Sequence, residues 1–228
     1  MPAVVLFDID GTLITTGGAG ARSWAHAFER MYGRPADITR YSEVGMTDPM
    51  VARQTFRATE GRAPTQEELA RLFAAYLLRL ADEVVLSDGY RVLDGVEKTL
   101  RRLGESGALL GIVSGNLEGA ARVKLTPGNL NRFFVFGGYG SDSDDRAELT
   151  RLAMDKAVMM HGHDLHPETF YVVGDTPRDI DAAKAVGAVS VGVATGEYSV
   201  EQLRRAGADH ALESLDDPFP GMRRAPAG

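Results

Sequence analysis

The chain has 228 residues, 44% of them hydrophobic and 25% charged, with a formal net charge of −7 at pH 7. That length and apolar content suffice for one large domain, with or without an insertion, while the acidic balance argues against nucleic acid or an anionic membrane as partner. There is no cysteine, which excludes disulfides, thiol nucleophiles and thiolate metal sites.

The start, MPAVVLFD, lacks the basic flank and the apolar length of a signal peptide. No stretch approaches the roughly 18 apolar residues of a membrane helix, so a cytoplasmic location is expected. Residues 3–7 form an unbroken, β-branched-rich apolar run, the pattern of a strand covered on both faces. From about residue 15 to 85 the periodicity turns helical and no strand is expected. ARSWAHAFERMYG puts Trp24, Phe28 and Met31 or Tyr32 on one stripe and stops at Gly33. TDPMVARQTF opens with Asp48 as cap and a proline at the first helical position. PTQEELARLFAAYLLRLADEV opens with the capping box Thr65 and Glu68 and aligns Leu69, Leu72, Phe73, Tyr76, Leu77 and Leu80.

Beyond residue 85, GVEKTLRRL reads as a helix with Val96, Leu100 and Leu103 on one face. Strands are expected at 108–114, 132–138, 170–175 and 188–194, with RAELTRLAMDKAVMM as a helix facing inward through Leu149, Leu152 and Met159. Strands alternating with helices predict βαβ units, hence an α/β fold with a Rossmann-like parallel sheet flanked by helices. The expected division is a discontinuous core of residues 1–14 and 86–218, an α-helical insertion of 15–85, and a frayed tail of 219–228 rich in proline and glycine.

Three of the apolar runs finish in polar groups: Asp8-Ile9-Asp10-Gly11-Thr12, Ser114-Gly115-Asn116 and Gly174-Asp175-Thr176. In open α/β sheets ligands bind at the carboxyl ends of the strands, so these groups should converge. On a regular strand Asp8 and Asp10 would share one face about 6.6 Å apart. A lone D-x-D-G is also a common turn; here two further strand ends accompany it. Adding Asp175 makes a cluster of like charges that is costly without a cation, and a hard ion with oxygen ligands, Mg²⁺, suits it.

These motifs, in this order, resemble the haloacid dehalogenase-like hydrolase superfamily, specifically its phosphatases with a helical cap, the phosphoglycolate phosphatase-like proteins included. D-x-D-G-T is residues 8–12, the serine closing a hydrophobic strand is Ser114, and G-D-x-x-x-D is residues 174–179. The insertion of 15–85 falls where such phosphatases carry their cap. The resemblance implies an Asp8 nucleophile that forms an aspartyl-phosphate and an Asp10 general acid/base. It further implies Mg²⁺ ligated by Asp8, the Asp10 carbonyl and Asp175, with Asp179 as a further ligand or a partner of the ligands. Phosphoryl oxygens would be held by Ser114 and by the amides of Gly115 and Asn116, with those of Gly11 and Thr12 assisting. The family's dehalogenases carry no carboxylate at the position of Asp10, which favours phosphatase or phosphomutase chemistry here.

One motif departs from the pattern. The usual lysine before the last motif is missing, and SDSDDRAEL stands there. Arg146 and Lys124 are the two candidates for the cation that faces the phosphate, and the choice between them stays open. Gly45 to Pro49 and Thr15 to Arg22 are the expected places where the insertion meets substrate, with Gly17, Gly18 and Gly20 suited to a hinge.

Other features read as structural. GGAGAR is not a full dinucleotide fingerprint, His161, His163 and His166 read as a polar loop, Met154, Met159 and Met160 as core filling, and Trp24 as buried. The expected activity is Mg²⁺-dependent hydrolysis of a small phosphorylated metabolite. The alternatives are a phosphomutase, a phospho-accepting signalling module and a degenerate binding protein on the same fold. Monomer and homodimer are both left open.

Overall fold

The structure is a computed structural model that describes residues 3–41, 45–161, 165–166 and 169–221. Its centre is a six-stranded parallel sheet in the order β5-β4-β1-β6-β7-β8. These strands are β1 (Val4–Phe7), β4 (Leu109–Ser114), β5 (Phe136–Tyr139), β6 (Phe170–Gly174), β7 (Val189–Val193) and β8 (His210–Leu212). β1 lies between β4 and β6, with Phe7 opposite Ile112 on one side and Val173 on the other. All four of its residues are fully buried, which is why the run is continuously apolar rather than alternating.

Successive residues of β1 serve opposite faces, as the two-residue period requires. Val5 and Phe7 join a core with Leu100 and Leu103 of α4 (Val96–Glu105) and Leu125 of α5 (Glu118–Leu125). Val4 and Leu6 join a core on the other side with Leu149, Ala153 and Ala157 of α6 (Arg146–His161) and Ala183 of α7 (Pro177–Val186). A short helix α8 (Val200–Arg205) follows β7.

A third apolar cluster belongs to α1 (Ala19–Tyr32), α2 (Asp48–Glu60) and α3 (Gln66–Leu86), and reaches Leu117 and Ala120 beside α5. Trp24 stacks on Tyr76 at 4.0 Å between centroids, with the rings 8° from parallel. Glycine ends α1 and α2 in the left-handed conformation, at Gly33 and Gly61, and the Thr65–Glu68 capping box opens α3. The helices leave and rejoin the core through an antiparallel ribbon of β2 (Ile14–Thr16) and β3 (Tyr90–Val92). The two chain crossings touch at Gly17 and Gly89: a Cβ on Gly17, whose φ is +57°, would sit 2.5 Å from the Gly89 Cα.

Several expectations needed correction. Residues 131–133 form a 3₁₀ turn, so the strand expected at 132–138 begins only at Phe136. The ribbon and β8 are strands of three residues, too short to show a period. Thr47 rather than Asp48 caps α2, its hydroxyl accepting from the Met50 N–H at 3.3 Å. The buried stripe of α6 is Leu149, Ala153 and Ala157; ten residues beyond Leu149, Met159 has turned about 80° off that line and is 85% exposed. Met160 is exposed as well, whereas Met154 packs against the α6 core. Phe219, placed in the expected tail, is buried edge-on to Tyr171. Residues 222–228 and His163 lie outside the described residues, while His161 and His166 are exposed.

Candidate active site

The polar strand ends do converge, though not as a regular strand would bring them. The Asp8 N–H still donates to the Val173 carbonyl at 2.9 Å, extending the ladder by one residue. Beyond it the chain folds into a tight turn in which the N–H groups of Leu13 and Ile14 both donate to the Ile9 carbonyl. Gly11, at φ +80°, makes that turn possible, and its missing side chain leaves room for Asp175: a Cβ there would lie 2.4 Å from Asp175 Oδ2. The two aspartates of the first motif thus part company. Asp8 is buried against Arg146, and Asp10, whose side chain is 43% exposed, turns to Lys124.

On the buried side, the Arg146 guanidinium lies at the first residue of α6, 2.9 Å from Asp8 Oδ1, and its Nε donates to Asp179 Oδ1 at 2.9 Å. Burial opposes the arginine's charge, but Asp179 and Asp8 outweigh it and hold its pKa above the ordinary value. Asp179 is held in turn by the Thr176 hydroxyl, which donates to Oδ2 at 2.7 Å at the start of α7. Asp175 receives the Thr12 hydroxyl at 3.0 Å and pairs with no cation among the described residues. A Cβ on Gly196, after β7, would come within 1.8 Å of its Oδ2. Burial, then the charges of Asp8 and Asp179, push the Asp175 carboxyl up to about 8. Burial likewise raises Asp8 to about 6 against the pull of Arg146, with Asp179 and Asp10 adding to the rise.

On the open side, the Lys124 ammonium donates to Asp10 Oδ2 at 2.7 Å and to Asn116 Oδ1 at 2.6 Å. Asn116 closes the ring by donating to Asp10 Oδ2 and to Ser114 Oγ, each at 2.8 Å. Lys124 is buried, yet Asp10 and Asp48 keep its pKa above the ordinary lysine value. These groups line a crevice of about 140 Å³ together with Asp8, Arg146, Gly115 and Thr176, and with Gly45, Met46 and Asp48 from the helical insertion.

The sequence-derived catalytic, cationic and acidic candidates lie together at this crevice: Asp8, Asp10, Ser114, Gly115, Asn116, Lys124 and Arg146 on its wall, and Asp175 and Asp179 beside Asp8. Gly45 to Pro49 reach it as expected, but Thr15 to Arg22 contribute none of its lining. The Arg22 side chain instead binds Glu83 and the Gly17 carbonyl, at the ribbon. Sequence reading overlooked the side chain of Asp48, whose Oδ2 accepts the Leu117 N–H at 2.9 Å, and the close approach of Gly196. The only hint of Asp48 was its place in GMTDP; nothing in the sequence marks Gly196.

Asp8, Asp175 and Asp179 each offer an oxygen within 4.8 Å of the other two, and among the described residues they are the group able to hold a metal ion. Three hard oxygen donors, one of them buried without a cation, fit Mg²⁺.

A strand-end acidic site stands where open α/β sheets bind their ligands, and likeness to known proteins gives its class. Residues 2–187 match the family described as haloacid dehalogenase-like hydrolase, and the chain belongs to that family of hydrolases. It is 29% identical over 243 residues to a phosphoglycolate phosphatase of Salmonella choleraesuis (strain SC-B67), across 96% of this chain and 91% of that one. It is 28% identical over 213 residues to the pyrophosphatase PpaX of Anoxybacillus flavithermus (strain DSM 21510 / WK1), across 93% of each. Its fold is similar to that of CbbY from Rhodobacter sphaeroides in complex with phosphate, with a TM-score of 0.72, 18% identity and coverage of 95% of this chain and 96% of that one. No described helix is long and apolar enough to cross a membrane.

Proposed function

We propose that the chain is a Mg²⁺-dependent phosphatase of small phosphate monoesters that works through an aspartyl-phosphate on Asp8. The observation that carries this reading is the separate custody of the two first-motif carboxylates. Asp8 is held by Arg146 and Asp10 by Lys124 and Asn116, beside one small crevice. A nucleophile and an acid/base must be electrostatically distinct to play different roles at one phosphorus.

In this reading Asp8 attacks phosphorus in line with the ester oxygen, and Asp10 gives a proton to the departing alkoxide. Asp10 then takes a proton from the water that attacks the aspartyl-phosphate, which releases inorganic phosphate and restores Asp8. Arg146, in contact with the attacking carboxylate, fills the role of the missing motif lysine, and Lys124 orients Asp10. Ser114 and the amides of Gly115 and Asn116 hold phosphoryl oxygens. Asp8, Asp175, Asp179 and the Asp10 carbonyl would hold Mg²⁺, whose charge would offset that of the phosphoryl oxygens. Residues 15–85 act as a cap, seated on the core through the Asp48 N–H, which donates to the Gly115 carbonyl at 2.7 Å. A crevice below the roughly 300–1,000 Å³ of drug-sized sites suits a small substrate.

The test is phosphate release from a panel of phosphorylated metabolites with and without Mg²⁺. Turnover should require the metal, and Asp8→Asn should abolish it. Asp10→Asn should form phosphoenzyme from p-nitrophenyl phosphate and then stall. Near-full activity of Asp8→Asn would refute the mechanism, a stable phosphoryl group on the wild-type chain would favour a signalling role, and isomerised sugar phosphate without phosphate release would favour a mutase.

A further inference from the structure

The crevice is lined from two parts of the chain: the core contributes Ser114, Asn116 and both cations, and the insertion contributes Gly45, Met46 and Asp48. With the phosphoryl group at Asp8, the organic part of a substrate is taken to meet the insertion's share of the lining, where Asp48 is the ionisable group among the described residues. Asp48 is fixed there: the Leu117 N–H donates to its Oδ2 and its own N–H donates to the Gly115 carbonyl. It is preorganised to accept a hydrogen bond.

The charges around it leave little for a second anion. Among the described residues three carboxylates and two cations line the crevice, and each cation is already bonded to a carboxylate. The next cation, Arg178, lines the neighbouring cavity behind Gly45 together with Asp144, Asp145 and Asp181. A carboxylate on the substrate would therefore face Asp48, and like charges at close quarters are strongly disfavoured.

We infer that Asp48 is a specificity-determining residue that selects phosphate monoesters whose organic part presents hydroxyl donors and excludes those that carry a carboxylate beside the ester. The inference rests on the phosphatase reading above and narrows its substrate class. It separates this chain from what the name of its phosphoglycolate phosphatase relatives says of them.

The matched pair for the test is 2-hydroxyethyl phosphate against 2-phosphoglycolate, which differ mainly in a hydroxymethyl group replaced by carboxylate. Binding of each to Asp8→Asn protein with Mg²⁺ is measured by calorimetry, and kcat/KM of each on the wild type. The hydroxyl ligand should win by at least about tenfold in both. Adding Asp48→Asn, which keeps an acceptor for Leu117, should shrink that ratio by about tenfold, whatever it does to activity in general. Equal binding of the two ligands, binding of neither, or a ratio that Asp48→Asn leaves unchanged would overturn the inference. Selective binding of 2-hydroxyethyl phosphate without hydrolysis would instead refute the phosphatase reading and leave the selectivity standing.

Discussion

Asp175 offers a direct test of whether the acidic cluster is built for a cation. Its carboxyl is 3% exposed and burial raises its pKa from 3.8 to about 8. Below pH 3.8 the folded and unfolded chains both hold this proton. Between there and about pH 8 the unfolded chain releases it and the folded chain retains it, so the metal-free protein loses stability as pH rises through that window. The shift sets a ceiling of about 6 kcal/mol, and relaxation and water entry bring the expected loss nearer about 3 kcal/mol. Asp175→Asn keeps the shape and an acceptor for the Thr12 hydroxyl but cannot ionise. In chelator at pH 8.5 the variant should melt roughly 6–12 °C above the wild type, while at pH 4 the two should be close. With saturating Mg²⁺ the order should reverse, because only the wild type retains the full donor set and gains from binding. Thermal unfolding followed by circular dichroism reads all four conditions. A variant less stable than the wild type in chelator at pH 8.5, or one that gains as much from Mg²⁺, would refute the reasoning.

Two further outcomes are expected. Arg146→Ala strips a buried cation from Asp8 and Asp179, and Lys124→Ala strips one from Asp10 and Asn116; each should destabilise by about 3–5 kcal/mol in urea unfolding. Their kinetics should differ: loss of Arg146 should slow alkyl phosphates and p-nitrophenyl phosphate alike, whereas loss of Lys124 should hurt alkyl phosphates more, since nitrophenolate leaves without a proton. Equal profiles for the two variants would undo the assignment of one cation to each aspartate. Trp24→Ala removes the ring stacked on Tyr76 in the helical cluster and should lower stability by about 3–5 kcal/mol. A loss under about 1 kcal/mol would mean that this cluster contributes little.

Much of the fold was legible because the features that specify it are local. A central parallel strand must be apolar on both faces, so 3–7, 108–114 and 170–175 announce themselves. Turn chemistry does the same for helix ends: Gly33, Pro49, and the Thr65–Glu68 pair mark boundaries that the structure keeps. The errors fall where a short range carries no information. Three-residue strands owe their existence to the partner across the ribbon, and Thr47 and Asp48 are both competent caps until the backbone decides which stands outside the helix. Met159 was assigned inward because a helical period tells which residues share a face but not how wide the buried stripe is; the close packing of α6 on the sheet favours Ala153 and Ala157 instead.

The sequence by itself determined which chemistry-bearing residues exist and that they stand at the ends of buried strands, since a run such as VVLF needs cover on both faces and the charges of the aspartates that follow mark where that cover stops. The tertiary structure alone decided how they pair. The turn at Gly11 sends Asp8 and Asp10 to different cations, and α5 and α6 deliver Lys124 and Arg146 from positions 22 residues apart to opposite sides of one crevice. It also brought Asp48 from the insertion over the core and left Gly196 bare against Asp175. The pairings of Asp8, Asp10 and Asp48 depend on contacts across more than sixty residues of chain, and side-chain spacing along a sequence holds no record of such distances.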